Sequence, residues 1–113
     1  MGDDKEAWIR CKSLTYHIPP NSTIRLGRSI ESDLRLLTDT AASREHCVLT
    51  FLDGRLEVRD LNSLNGTAVN GQLISVPTQL QHNDVISVGE TALTILFELD
   101  QDDRGTENFR LPT

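Results

Sequence analysis

The sequence predicts an all-β protein, a sandwich or a barrel, on three observations. Short segments rich in β-branched residues recur along its 113 residues. Turn signals interrupt them about every eight to twelve positions, and the clearest of them alternates apolar with polar residues. At this length one hydrophobic core is expected rather than two. Hydrophobic residues make up 37% and charged residues 25%, a balance that fits a soluble globular chain.

The strands are expected in the following order. AWIRCK (7–12) and LTYHI (14–18) come first, and Pro19-Pro20 then confines the chain to a loop or sheet edge. STIRLG (22–27) ends in a glycine. DLRL (33–36) is ambiguous, because Ile30, Leu34 and Leu37 also stand at helical spacing. A short helix is the alternative there, and the surrounding β pattern favours the strand. HCVLTFL (46–52) and RLEVRD (55–60) are joined by Asp53-Gly54, a tight hairpin whose two central residues both tolerate φ > 0. TAVN (67–70) follows, and Pro77 marks another loop or edge. DVISVG (84–89) precedes ALTILFEL (92–99), where Leu93, Ile95, Phe97 and Leu99 share one face and Thr94, Leu96 and Glu98 the other. The folded unit is therefore expected over 7–99, with polar acidic tails at 1–6 and 100–113.

Several function classes are disfavoured. Apolar runs are too short for a transmembrane helix, so no membrane partner is expected. The acidic start GDDKEA is the opposite of a signal peptide, which favours an intracellular protein. Net charge is −6, which argues against direct nucleic-acid binding. Cys11 and Cys47 fit no metal or redox spacing and read as reduced, core-facing thiols. Adding His17 and His82 to them yields no ligand pattern either, and no cofactor is expected. Asp39, Ser43 and His46 could be taken as a nucleophilic set, but they crowd one loop and lack a G-x-S-x-G elbow. No enzyme is expected. Asn21-Ser22-Thr23 and Asn65-Gly66-Thr67 match the glycan acceptor pattern, which would matter only in a secreted protein.

The arginines are unevenly placed. Arg25, Arg28, Arg35 and Arg44 fall within twenty positions, while acids crowd both ends of the chain. A basic island on an acidic protein suits a small anionic group better than a polymer. Three polar blocks lie in or near it: Gly27-Arg28 at a strand end, Ser43-Arg44-Glu45-His46 before an apolar strand, and NSLNGTAVNG with two Asn-Gly pairs.

In this order and spacing the blocks resemble the forkhead-associated (FHA) domain, over roughly residues 7–99. SLNGT is also similar to the corresponding loop of DNA-damage checkpoint mediators. The resemblance implies a two-sheet antiparallel β-sandwich with ligand loops at one end, binding a phosphothreonine-containing protein or peptide in signalling, with a nuclear, DNA-damage setting. It implies phosphate contacts from Arg28, Ser43 and Arg44 and a peptide-backbone contact from Asn65. A phosphothreonine carries about −1.5 to −2 charges and three acceptor oxygens, which arginine's planar fork can meet with two parallel bonds. Gly27, His46, Gly66, Thr67, Asn70 and Gly71 are expected to shape the loops, with Asn70-Gly71 making a hairpin. Leu64 stands where some family members place a phosphate-touching hydroxyl, so that contact is missing. Ala41, at a position that influences selection of the residue three after phosphothreonine, makes an acidic preference there unexpected. A homodimer, formed by one copy's phosphorylated tail in another's site, stays open. The rival reading is a β-sandwich interaction module that does not require phosphorylation.

Overall fold

The computed structural model describes residues 5–99. Of the expected tails, residues 1–4 and 100–113 lie outside the described residues. The strands are β1 Ala7–Cys11, β2 Leu14–Ile18, β3 Ser22–Gly27, β4 Leu34–Arg35, β5 Cys47–Leu52, β6 Arg55–Asp60, β7 Thr67–Val69, β8 Gln72–Leu73, β9 Thr78–Leu80, β10 Val85–Val88 and β11 Thr91–Leu96. They form a six-stranded sheet ordered β2-β1-β11-β10-β7-β8 and a five-stranded sheet ordered β4-β3-β5-β6-β9. The pairings are antiparallel except that of β3 with β4, which is parallel.

Alternation explains how the two sheets meet. Ala7 and Ile9, Ile86 and Val88, and Leu93 and Ile95 point inward from the six-stranded sheet. They face Leu49 and Phe51, Leu56 and Val58, and Leu26 from the other, and all are essentially buried. Full burial of each large aliphatic or aromatic side chain contributes about 1.5–3 kcal/mol, so this one interlayer is the main source of stability. Phe51 also packs against Phe97, ring centroids 6.3 Å apart, and closes the end of the core where the β5–β6 hairpin turns. That hairpin has φ of 54° at Asp53 and 77° at Gly54, the left-handed pair that a two-residue connection requires.

One ambiguity is resolved as the β pattern favoured, and two details differ from the sequence expectation. Between Ile30 and Leu37 the chain follows the strand period: Leu34 and Leu36 are buried, while Ile30 and Leu37 are 77% and 60% exposed. The helical alternative is excluded. β8 and β9, at two and three residues, are too short to show a period, and their ladder partners β7 and β6 define them. β11 stops at Leu96 instead of running to 99, because the Phe97 N–H donates to His82 Nδ1 rather than to a neighbouring strand.

Candidate functional site

The β3–β4, β4–β5 and β6–β7 loops gather at the end of the sandwich opposite the Asp53-Gly54 hairpin. Backbone contacts lock the first two together. Arg28 N–H donates to the Ser43 carbonyl at 3.1 Å, Ser29 N–H to Arg44 at 3.0 Å, and His46 N–H to Leu26 at 3.0 Å. Gly27 makes this possible: a Cβ there would lie 2.1 Å from the Arg44 carbonyl oxygen. The glycine is required by close approach of backbone, not by its own dihedral angles.

Arg28 is held by its own guanidinium. Nε donates to the Ala42 carbonyl at 2.7 Å, and the two terminal nitrogens have no partner among the described residues. The fork is thus oriented at its base, and a bidentate contact has to use its terminal pair. Ser43 Oγ accepts the Leu64 N–H at 2.8 Å, leaving the hydroxyl proton to donate elsewhere. Arg44 is exposed beside it, while the Leu64 side chain is 88% exposed. Asn65 is exposed, and its Nδ2 donates to the Ala41 carbonyl at 2.9 Å, so its amide oxygen is available as an acceptor.

His46 lies beneath these groups, fully buried. Its Nδ1 accepts the Ser43 N–H at 3.0 Å, which puts the ring proton on Nε2, the donor to the Gly66 carbonyl at 2.8 Å. Gly66 has φ of 82°, the left-handed turn that lets its carbonyl meet the ring. This geometry excludes the nucleophilic set. His46 touches the Ser43 backbone and not its hydroxyl, and Asp39 faces a different loop.

Two carboxylates brace the loops, a role the sequence reading assigned to neither. Asp60 accepts from Ser63 N–H and Oγ and from Thr67 Oγ1. Partial burial opposes its charge, but those bonds hold its carboxyl below the usual range. Asp39 accepts from Ala41 N–H, Glu90 N–H and Thr91 Oγ1, tying the β4–β5 loop to the β10–β11 turn. Its pKa is also lowered, desolvation being outweighed by these bonds. A Cβ at Gly89 would lie 2.6 Å from the Asp39 carboxylate and 2.7 Å from the Ala42 nitrogen. Asp and Gly are so common in turns that neither residue stands out in sequence.

Thr67 is buried under the loops, next to Cys47. Asn70-Gly71 lies at the other end of β7, with φ of 51° and 85°. There Asn70 Nδ2 donates to Asp84 and its Oδ1 accepts from Val85 N–H, both at 2.9 Å. The two Asn-Gly pairs of the opening motif therefore sit in different places. One is in the loop cluster, and the other turns a hairpin away from it.

A sandwich that fixes an arginine fork, a serine hydroxyl and an asparagine amide on interlocked loops at one end defines a loop-bearing β-sandwich recognition module. The FHA-domain family model matches residues 24–89, more than half of the chain, and the chain belongs to the FHA-domain family. It is 35% identical over 85 residues to the ABC transporter ATP-binding/permease protein Rv1747 of Mycobacterium tuberculosis, covering 75% of this chain and 10% of that protein. Among solved structures, the MEK1 FHA domain in complex with a HOP1 phosphothreonine peptide is 32% identical. Its TM-score is 0.69, over 80% of this chain and 95% of that one. A domain from a structural and functional study of phosphothreonine-dependent FHA interactions is 27% identical, with TM-score 0.75 over 83% of this chain and 98% of that one. The chain thus spans only a tenth of the transporter that it matches.

Proposed function

We propose that the chain is a phosphothreonine-dependent peptide-binding module that joins proteins in signalling and catalyses no reaction itself. The observation that supports this most is the Arg28 fork, steadied through Nε by Ala42 and adjacent to the Ser43 hydroxyl and Arg44. In this reading the two terminal nitrogens of Arg28 and the Ser43 hydroxyl meet the phosphate oxygens, and Arg44 adds charge. Asn65 exchanges its Ala41 contact for the backbone of the peptide or keeps it and offers its amide oxygen. Kinship with the peptide-bound MEK1 domain supports the same ligand class. Reduced thiols and a kinase-made ligand fit an intracellular setting. A bacterial relative is 35% identical over 85 residues, so family membership carries no nuclear address.

One peptide backbone in four versions tests the reading: phosphothreonine, phosphoserine, glutamate and plain threonine. Phosphothreonine should bind best. One buried methyl is worth about 0.8 kcal/mol, and up to about 3 kcal/mol in a fitted pocket, so phosphoserine should be weaker by several-fold to about a hundredfold. Glutamate should fail, because one planar charge cannot replace a tetrahedral dianion. Glutamate binding as well as phosphothreonine would overturn the proposal.

A further inference from the structure

The outer face of the five-stranded sheet carries charge opposite to that of the whole chain, which is −6. Strand register fixes its members. Residues that pair with inward-facing Cys47, Leu49 and Phe51 point into the core, and those between them point out. Arg25 on β3 and Arg59 on β6 both stand opposite Val48 on β5, one from each side. At about 4.8 Å between strands, their backbones are roughly 10 Å apart. Arg55 lies on the same face, about 13 Å further along β6. On β4, Arg35 is beside Gly27, and its Nε donates to the Arg28 carbonyl at 3.0 Å. The basic face therefore runs directly into the loop cluster.

These four arginines are exposed, and Glu57 is the only acid at the outward strand positions. Asp33 engages the Arg25 backbone N–H rather than its guanidinium, and among the described residues no ion pair involves any of the four. At about 10 Å across β5, Arg25 and Arg59 repel each other only weakly in salt, and an anion laid between them over Val48 is attracted by both. A strongly acidic chain opposes a long polyanion such as nucleic acid through its overall field. A short acidic strip meets a local field of four arginines set against Glu57 on the strands and Glu31 and Glu45 beside Arg25, and Val48 between Arg25 and Arg59 gives it an apolar floor.

We infer that this face is a docking surface for an acidic, Asp/Glu-rich peptide segment of a partner, lying along the sheet and continuing from the loop cluster. Nothing in this contact needs a phosphorylated residue, so it and the phosphothreonine reading fail separately. The test titrates the ¹⁵N-labelled full chain with an unphosphorylated Asp/Glu-rich peptide. About eight residues suffice to cross the face at roughly 3.3 Å per residue. Amide shifts are expected at Arg25, Val48 and Arg59, fading as salt screens the charges. They should be lost in Arg25→Glu/Arg59→Glu and in the milder Arg25→Gln/Arg59→Gln, whose spectra also report folding, and kept in Arg28→Ala. In the titration, the inference is overturned by no shifts on the face, by shifts confined to Arg28 and Arg44, or by the same shifts in both double variants. The chain's own acidic residues at 100, 102 and 103 are the competing occupant. If changing them to Asn moves the same amides without any peptide, the face is self-covered and the inference falls.

Discussion

His46 Nε2 donates to the Gly66 carbonyl at 2.8 Å, and this bond joins the entry of β5 to a turn twenty residues later. Removing the ring leaves two partly buried groups unpaired, the Ser43 N–H and the Gly66 carbonyl, at up to about 1–3 kcal/mol each. His46→Ala should lower Tm, at about 4–8 °C per kcal/mol for a domain of this size, and should weaken phosphopeptide binding through loop disorder. Calorimetric melts together with titrations check this. Unchanged Tm with lost binding would instead make His46 a ligand contact.

Gly27→Ala drives a methyl group against the Arg44 carbonyl, 2.1 Å away. Backbone cannot rotate aside as a side chain can, so the β3–β4 and β4–β5 loops must separate. A loss of about 1–3 kcal/mol is expected, as for other overpacked sites, with a matching fall in affinity. Urea midpoints measure the first and peptide titration the second. A fully stable variant would show that the two loops are not packed as described.

Arg28→Ala should abolish measurable phosphopeptide binding. Truncating one partner of a hydrogen-bonded charge pair costs about 2–5 kcal/mol, roughly thirtyfold or more in Kd. Arg28→Lys should rescue little, since an ammonium cannot bond Ala42 through Nε and also present a planar pair. Ser43→Ala should lose about 1–3 kcal/mol and also leave the Leu64 N–H unpaired. Titration calorimetry of all three variants decides; wild-type affinity in Arg28→Ala would sink the site.

Asp39 and Asp60 predict acid sensitivity. Their folded pKa values are lowered, whereas an unfolded Asp titrates near 3.9. Their stabilisation is therefore complete above that value and is lost as pH falls through the folded values. Wild-type stability should decline below about pH 4, and Asp39→Asn or Asp60→Asn, though weaker at neutral pH, should lose less in that window. Urea midpoints from neutral to acid pH test the difference; identical slopes would remove both carboxylates as the cause.

Burial pushes the Cys47 thiol up to about 12, with Asp60 adding to the rise and a Thr67 hydrogen bond opposing it. The thiolate is the reactive form, so Cys47 should resist a thiol reagent at mildly alkaline pH until the protein unfolds. Cys11 is only partly covered and should label first. Two thiols reacting at one rate in the native protein would contradict the packing of β5.

Much of the fold was legible because its long strands carry their own signals. The β5–β6 hairpin is fully marked by alternation and Asp53-Gly54, and β11 by its period. β8 and β9 were not, because two or three residues cannot express a period and only their partners make them strands. In the loop cluster, Arg28, Ser43, Asn65 and His46 stood out as a motif. Asp60 and Gly89 did not, and Asp39 was read only as a member of a nucleophilic set, since the importance of all three lies in what they touch, up to 52 residues away. The choice of Nε as the anchored nitrogen of Arg28 depends on where Ala42 places its carbonyl, which no spacing encodes.

The pairing of Trp8 with Leu96 sets the first and last strands side by side, with Lys5 resting over the Phe97 ring near the Asp53-Gly54 hairpin. Chain that leads in and chain that leads out therefore share one pole of the domain, and the loop cluster occupies the other. Such a unit can be spliced into a host polypeptide like a bead hung from a single knot. The host backbone is interrupted by little more than the spacing of two neighbouring strands, about 4.8 Å, and its flanking segments need not pass in front of the recognition loops.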